Sequence, residues 1–158
     1  MKQTLFDAVG GLPTLEKVHR IFYDKIYAHP WLGRFFEGHD QKAIELRQTQ
    51  FMGEKFGGDI VYPGMDLALA HRRMYITPEL FKVRQQLLRE SLEEAGVAGA
   101  NIVRWLRIDA AFSKDIVNPS REDFDMTDLK YERPMIVPNP NKAARDETEP
   151  ASSKGEDT

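Results

Sequence analysis

Residues Gly10–Pro30 read GGLPTLEKVHRIFYDKIYAHP, and this stretch decides the fold class. Pro13 and Glu16 mark a helix start, because proline is tolerated in the first turn and an acid there meets the positive end of the helix. Leu15, Val18, Phe22 and Ile26 follow at spacings of three and four, on one face of a helix that ends near His29–Pro30. Outward from it the same period recurs. A helix from about Asp40 toward Gly57–Gly58 carries Ile44, Gln48, Phe51 and Met52, and a short one holds Leu67, Ala70, His71 and Met74. Thr77-Pro78-Glu79 supplies an N-cap, a first-turn proline and a first-turn acid for a long helix with Phe81, Leu87, Leu88 and Leu92, which ends at Gly96. Ile102, Trp105 and Leu106 mark a last helix after Asn101. The best strand candidate, Ile60–Tyr62, is short and lies between Gly58 and Pro63, so the expected class is all-α.

The 158 residues allow one domain with length to spare, and 41% apolar residues suffice for its core. Helical pattern fades near Phe112. Residues 113–158 hold seven Lys/Arg against eleven Asp/Glu and prolines at 119, 134, 138, 140 and 150, leaving 15 against 14 charges in residues 1–112. The expected organisation is a folded domain over 1–112 and an acidic, Pro-rich, disordered tail over 113–158, whose apolar stretch Tyr131–Pro138 either docks or stays solvated. A net charge of −3 argues against nucleic acid and anionic membranes as partners. No apolar run reaches a membrane span, and Met1–Phe6 lacks a signal-peptide core, so the expected location is the cytoplasm. Without cysteine there are no thiolate ligands or nucleophiles.

Polar residues at inward positions are the functional signal. Gln48 sits four after Ile44 and three before Phe51, where an unpaired buried amide costs about 1–3 kcal/mol. Tyr23 adjoins Phe22 on the first stripe, and Arg84 lies between Phe81 and Leu88. His71 faces inward on the short helix. A lone histidine is more often a hydrogen-bonded core residue than a ligand, and it cannot hold a bare ion. It can hold an iron whose equatorial bonds come from a porphyrin, since haem asks for one proximal imidazole.

The sequence also resembles the truncated hemoglobins (two-on-two globins), most of all their group I, over about Thr4–Phe112. The resemblance rests on Leu5-Phe6-Asp7-Ala8-Val9-Gly10-Gly11, Phe22-Tyr23-Asp24-Lys25, Phe35-Phe36-Glu37-Gly38, Arg47-Gln48-Thr49-Gln50-Phe51-Met52, Phe56-Gly57-Gly58, Tyr62-Pro63-Gly64, Ala70-His71-Arg72 and Ile76-Thr77 ahead of Phe81. It implies a two-on-two helical sandwich that binds haem b (iron protoporphyrin IX). His71 would be the proximal iron ligand, Phe36 the ring packed on the porphyrin, and Tyr23 and Gln48 the distal donors to bound ligand. Ile44 would stand where larger globins have a distal histidine, gating ligand or merely packing. Phe51, Met52, Tyr62, Met74, Ile76 and Phe81 would line the haem pocket or simply form core. Arg47 would lie near a haem propionate or be an ordinary surface residue. Arg84 departs from the family, which has an apolar residue or tryptophan there; on the distal side it would donate to ligand, reach a propionate or snorkel outward. His19, His29 and His39 lie outside the distal stripe, which leaves the sixth iron position open or water-bound.

The resemblance further implies binding of the diatomic gases O2, NO and CO, with oxygen-dependent conversion of NO to nitrate as the leading activity and an unidentified reductase as partner. An oxygen carrier or gas sensor whose tail engages a partner is the alternative, and a haemless helical domain with His71 as a core residue is the third.

Overall fold

A computed structural model describes residues 3–127, 129 and 132–140. Thr4 caps α1 (Leu5–Val9) by accepting from the Asp7 N–H at 3.1 Å, and the chain leaves this helix through Gly10 and Gly11 at φ of 107° and 74°, backbone that favours glycine. Helix α2 (Leu12–Ala28) buries Leu15, Val18, Phe22 and Ile26, the stripe expected from the sequence, with His19 and Tyr23 beside them. A short 3-10 helix, Leu32–Phe36, turns the chain into α3 (Gln41–Lys55), capped by Asp40. Gly33 of the 3-10 helix permits close approach of two backbone segments, because a Cβ there would lie 2.7 Å from Tyr27 O.

Helix α4 (Leu67–His71) is five residues long and buries none of them. Met74, expected within it, lies beyond its end in the link to α5 (Pro78–Glu94), which Thr77 caps by accepting from the Leu80 N–H at 3.0 Å. Helix α6 (Gly99–Ala111) completes the main frame. The pairs α2/α3 and α5/α6 form the sandwich, joined where α2 packs on α5. Trp105, fully buried, meets the Phe56 ring edge-on with ring centroids 4.8 Å apart, and burying a large apolar side chain stabilises the fold by about 1.5–3 kcal/mol. No strand occurs among the described residues; Ile60–Tyr62 is loop, and an isolated parallel bridge joins Met74 to Met135.

The described chain continues past Phe112, where helical periodicity fades in the sequence. Helices α7 (Ser113–Ile116) and α8 (Arg121–Asp125) follow, and Phe124 is only 2% exposed, with its ring 5.2 Å from Tyr75. Residues 132–137 then lie along the link after α4, where the Met135 N–H donates to Arg73 O at 2.7 Å and the Tyr75 N–H donates to Met135 O at 2.9 Å. Prolines and charges on this segment obscured its seat, because main-chain pairing asks little of side-chain polarity. Tyr131 and residues 141–158 lie outside the described residues.

Candidate functional site

A cavity of about 340 Å³ opens between the α2/α3 pair, the link after α4, and α5. It brings together Tyr23, Phe36, Ile44, Arg47, Gln48, Phe51, Tyr62, His71, Met74, Ile76, Phe81 and Arg84. Met52 is the exception. It is wholly buried in the core, because one residue after Phe51 the helix has rotated by about 100° away from the cavity.

Each polar group has a stated environment. His71 Nδ1 donates to Leu67 O at 2.8 Å. A carbonyl can only accept, so the neutral ring keeps its lone pair at Nε2. Burial lowers the His71 pKa, as does the charge of Arg84, against the opposing effect of the Leu67 bond, so the imidazole stays neutral. Tyr23 is 6% exposed and its hydroxyl makes no hydrogen bond among the described residues; burial raises its pKa, so it remains a proton donor. Its ring meets Phe36 edge-on at 5.9 Å, and Tyr27 packs on the other side of Phe36 at 5.4 Å. Gln48, one turn after Ile44 on α3, borders the cavity with its amide likewise unbonded among the described residues. Arg47 is exposed at the mouth and donates to Gln50 Oε1 at 3.4 Å.

Arg84 does not snorkel outward. Its Nη1 pairs with Asp109 Oδ2 at 2.5 Å, and the guanidinium lies 5.3 Å from the Phe22 ring centroid and 5.6 Å from that of Phe81. Gln85 donates to the same carboxylate oxygen, and Asp109 is 2% exposed. The sequence reading missed Asp109, although it continues the inward series Ile102, Trp105, Leu106 at a spacing of three; an inward acid on α6 was the available signal for the partner of an inward Arg84. It also missed Leu80, Phe112 and Ile116, which line the cavity, and placed His39 off the site although that exposed side chain borders the rim. His29 Nδ1 accepts from the N–H groups of Trp31 and Leu32 instead.

His19 is a second inward histidine, away from the cavity lining. Its Nδ1 is 2.7 Å from Thr49 Oγ1, its ring stands edge-on to Trp105 at 6.0 Å, and its Nε2 is buried without a partner among the described residues. Burial, with a smaller effect from Arg84, lowers its pKa to about 3. Among the described residues no cluster of three His, Asp or Glu side chains could hold a bare metal ion, and no helix is long and apolar enough to cross a membrane.

Comparison with known proteins agrees with this geometry. The family profile described as "Bacterial-like globin" matches residues 4–118. The Group 1 truncated hemoglobin LI410 of Chlamydomonas moewusii is 27% identical over 121 residues, covering 75% of this chain and 71% of that protein. The Group 1 truncated hemoglobin GlbN of Mycolicibacterium paratuberculosis is 27% identical over 113 residues, 72% of this chain and 83% of its own. Among solved structures, the Fe(III) form of the truncated hemoglobin from Tetrahymena pyriformis superposes with a TM-score of 0.69 at 27% identity, over 73% of this chain and 99% of that one. The match spans the helices that frame the cavity, and the chain belongs to the bacterial-like globin family, a haem-type, gas-binding fold.

Proposed function

We propose that the chain holds haem b in this cavity through His71 Nε2 and that its activity is the oxygen-dependent conversion of NO to nitrate. The observation that carries the proposal is that His71 Nε2, the Tyr23 hydroxyl and the Gln48 amide, each without a hydrogen-bond partner among the described residues, belong to side chains lining one cavity whose walls are mainly aromatic and aliphatic. Apolar walls with a few convergent polar groups suit a flat aromatic macrocycle. His71 enters from α4, which packs against α7, whereas Tyr23 and Gln48 come from the α2/α3 pair, so ligand and donors arise from different walls. With that division His71 would hold a haem while Tyr23 and Gln48 would be left free to donate hydrogen bonds to a gas ligand.

When bound, the haem supplies the iron at which O2, NO or CO coordinates and where O2 and NO, with one electron from an external reductase, yield nitrate. The protein's own contribution is positional. Tyr23 stays protonated in its buried site and donates through its hydroxyl, and Gln48 donates through its amide. Hydrogen bonds to a negatively charged acceptor are about twice as strong as neutral ones, so these two donors would favour retention of a ligand that gains such charge over its rapid release. Arg84, its charge offset by Asp109, extends this polar edge from α5, and Phe36 braces the aromatic wall.

Absorption spectra of the protein reconstituted with hemin test the cofactor: one equivalent should give a Soret band that shifts on dithionite reduction and again with CO. Mixing the oxygenated protein with NO should then release nitrate stoichiometrically. Slow or absent nitrate formation beside normal CO binding would remove the catalytic reading and keep the gas-binding one. A carrier or sensor acting through its tail is less well supported, because residues 132–137 are already engaged by the chain itself.

A further inference from the structure

The link from His71 to α5 has few resources of its own. Helix α4 buries no side chain, and the link's own turn supplies one internal bond, from the Met74 N–H to His71 O at 2.9 Å. Half-buried backbone left unpaired would be costly. Its partners come instead from the C-terminal segment. Asn118 takes the Ile76 N–H on its side-chain oxygen at 3.0 Å and donates its own N–H to Ile76 O at 2.8 Å. Met135 does the same on the other side, donating to Arg73 O and accepting from the Tyr75 N–H. Side chains reinforce the seat: Arg72 Nε pairs with Glu132 at 2.6 Å and Arg73 Nη1 donates to Arg133 O at 3.3 Å. At the far end, Trp31 Nε1 donates to Val137 O at 2.8 Å, and Trp31 opens the 3-10 turn that carries Phe35 and Phe36 to the cavity.

One extended segment thus ties two parts of the cavity wall that share no helix, the link bearing Met74 and Ile76 and the turn bearing Phe36. It lies beyond the stretch that matches the family, residues 4–118. We propose that residues 132–137 are a positioning strap, which fixes the direction in which His71 presents Nε2 and slows the escape of haem by holding the two wall segments together. The proposal rests on the reading of His71 as the haem ligand. The strap residues touch no reacting group; they act through the link.

Two full-length variants test it. Met135→Pro deletes the N–H that bonds Arg73 O, and Trp31→Phe keeps an aromatic ring while deleting the donor to Val137 O. Without haem, amide hydrogen exchange at Tyr75 should quicken at least tenfold in Met135→Pro; an unchanged rate would mean that the strap is not seated and would overturn the proposal. With hemin bound, transfer to an excess of apomyoglobin should quicken about fivefold or more in each variant, and the iron–histidine stretching band of the reduced protein should shift or broaden. A segment that only stabilised the fold would lower the urea midpoint and leave that band and the transfer rate, compared at equal fraction folded, unchanged, which overturns the proposal. If the unaltered chain takes up no stoichiometric hemin, the haem reading and the strap's role fail together, and the Tyr75 exchange result still reports whether the strap is seated.

Discussion

The two sides of the cavity are built in different ways. Tyr23 and Gln48 ride on α2 and α3, helices of 17 and 15 residues anchored by side chains that interleave in the core. His71 rides on a helix of five residues with nothing buried, and its surroundings are fixed by main-chain bonds to a segment some 60 positions later in the chain. Side-chain packing makes a wall that resists local change, whereas main-chain pairing makes one whose geometry depends on a remote segment.

Removing the His71 imidazole breaks the contrast most completely. His71→Ala should abolish stoichiometric hemin uptake at micromolar concentration, with the Soret band restored by free imidazole, while the far-ultraviolet circular dichroism of the haem-free chain stays unchanged. Retained haem with normal iron–ligand spectra would move the ligand elsewhere. The next largest effect lies under the opposite wall. Asp109→Asn leaves the Arg84 guanidinium without its countercharge in a site where Asp109 is almost wholly enclosed, and should cost about 3 kcal/mol in urea unfolding. A loss below about 1 kcal/mol would show that solvent already compensates Arg84.

His19 sharpens the contrast by pH, since it lies in the packed half of the molecule. Its folded pKa of about 3 is below the ordinary 6.5, so the unfolded chain binds a proton that the folded one refuses. The stability that neutral His19 contributes is complete above pH 6.5 and is lost as pH falls toward about 3, at up to about 1.4 kcal/mol per pH unit. His19→Gln should flatten the acid limb of the stability profile by about one proton; an unaltered limb would mean that the buried ring is protonated in the folded state. Smallest is Tyr23→Phe, which removes one donor without a void. It should speed oxygen dissociation about tenfold, roughly 1.4 kcal/mol, and leave hemin transfer unchanged. An unchanged off-rate would take Tyr23 out of the donor set.

How far each side could be read from the sequence follows from the same difference. The spacing of Leu15, Val18, Phe22 and Ile26 gives α2, Thr77-Pro78-Glu79 gives the start of α5, and Tyr23 and Gln48 are recognisable as polar residues on apolar stripes. These are side-chain signals, and periodicity carries them. Met52 was misplaced because a helical stripe is wider than the face that meets the cavity. Asn118 and Met135 could not be found in that way, since what they supply to the link is chiefly backbone, which every residue possesses. The short apolar run around Met135 showed only that the segment had something to bury.

The bond from Trp31 to Val137 spans 106 positions. On the ribosome, the helical frame through α6 can form from contacts already made, while the wall beside His71 waits for nearly the last part of the described chain to emerge. Cofactor capture in a finished pocket therefore waits until residues 132–137 have emerged, and a nascent chain stalled before residue 132 would present a folded frame with an open side.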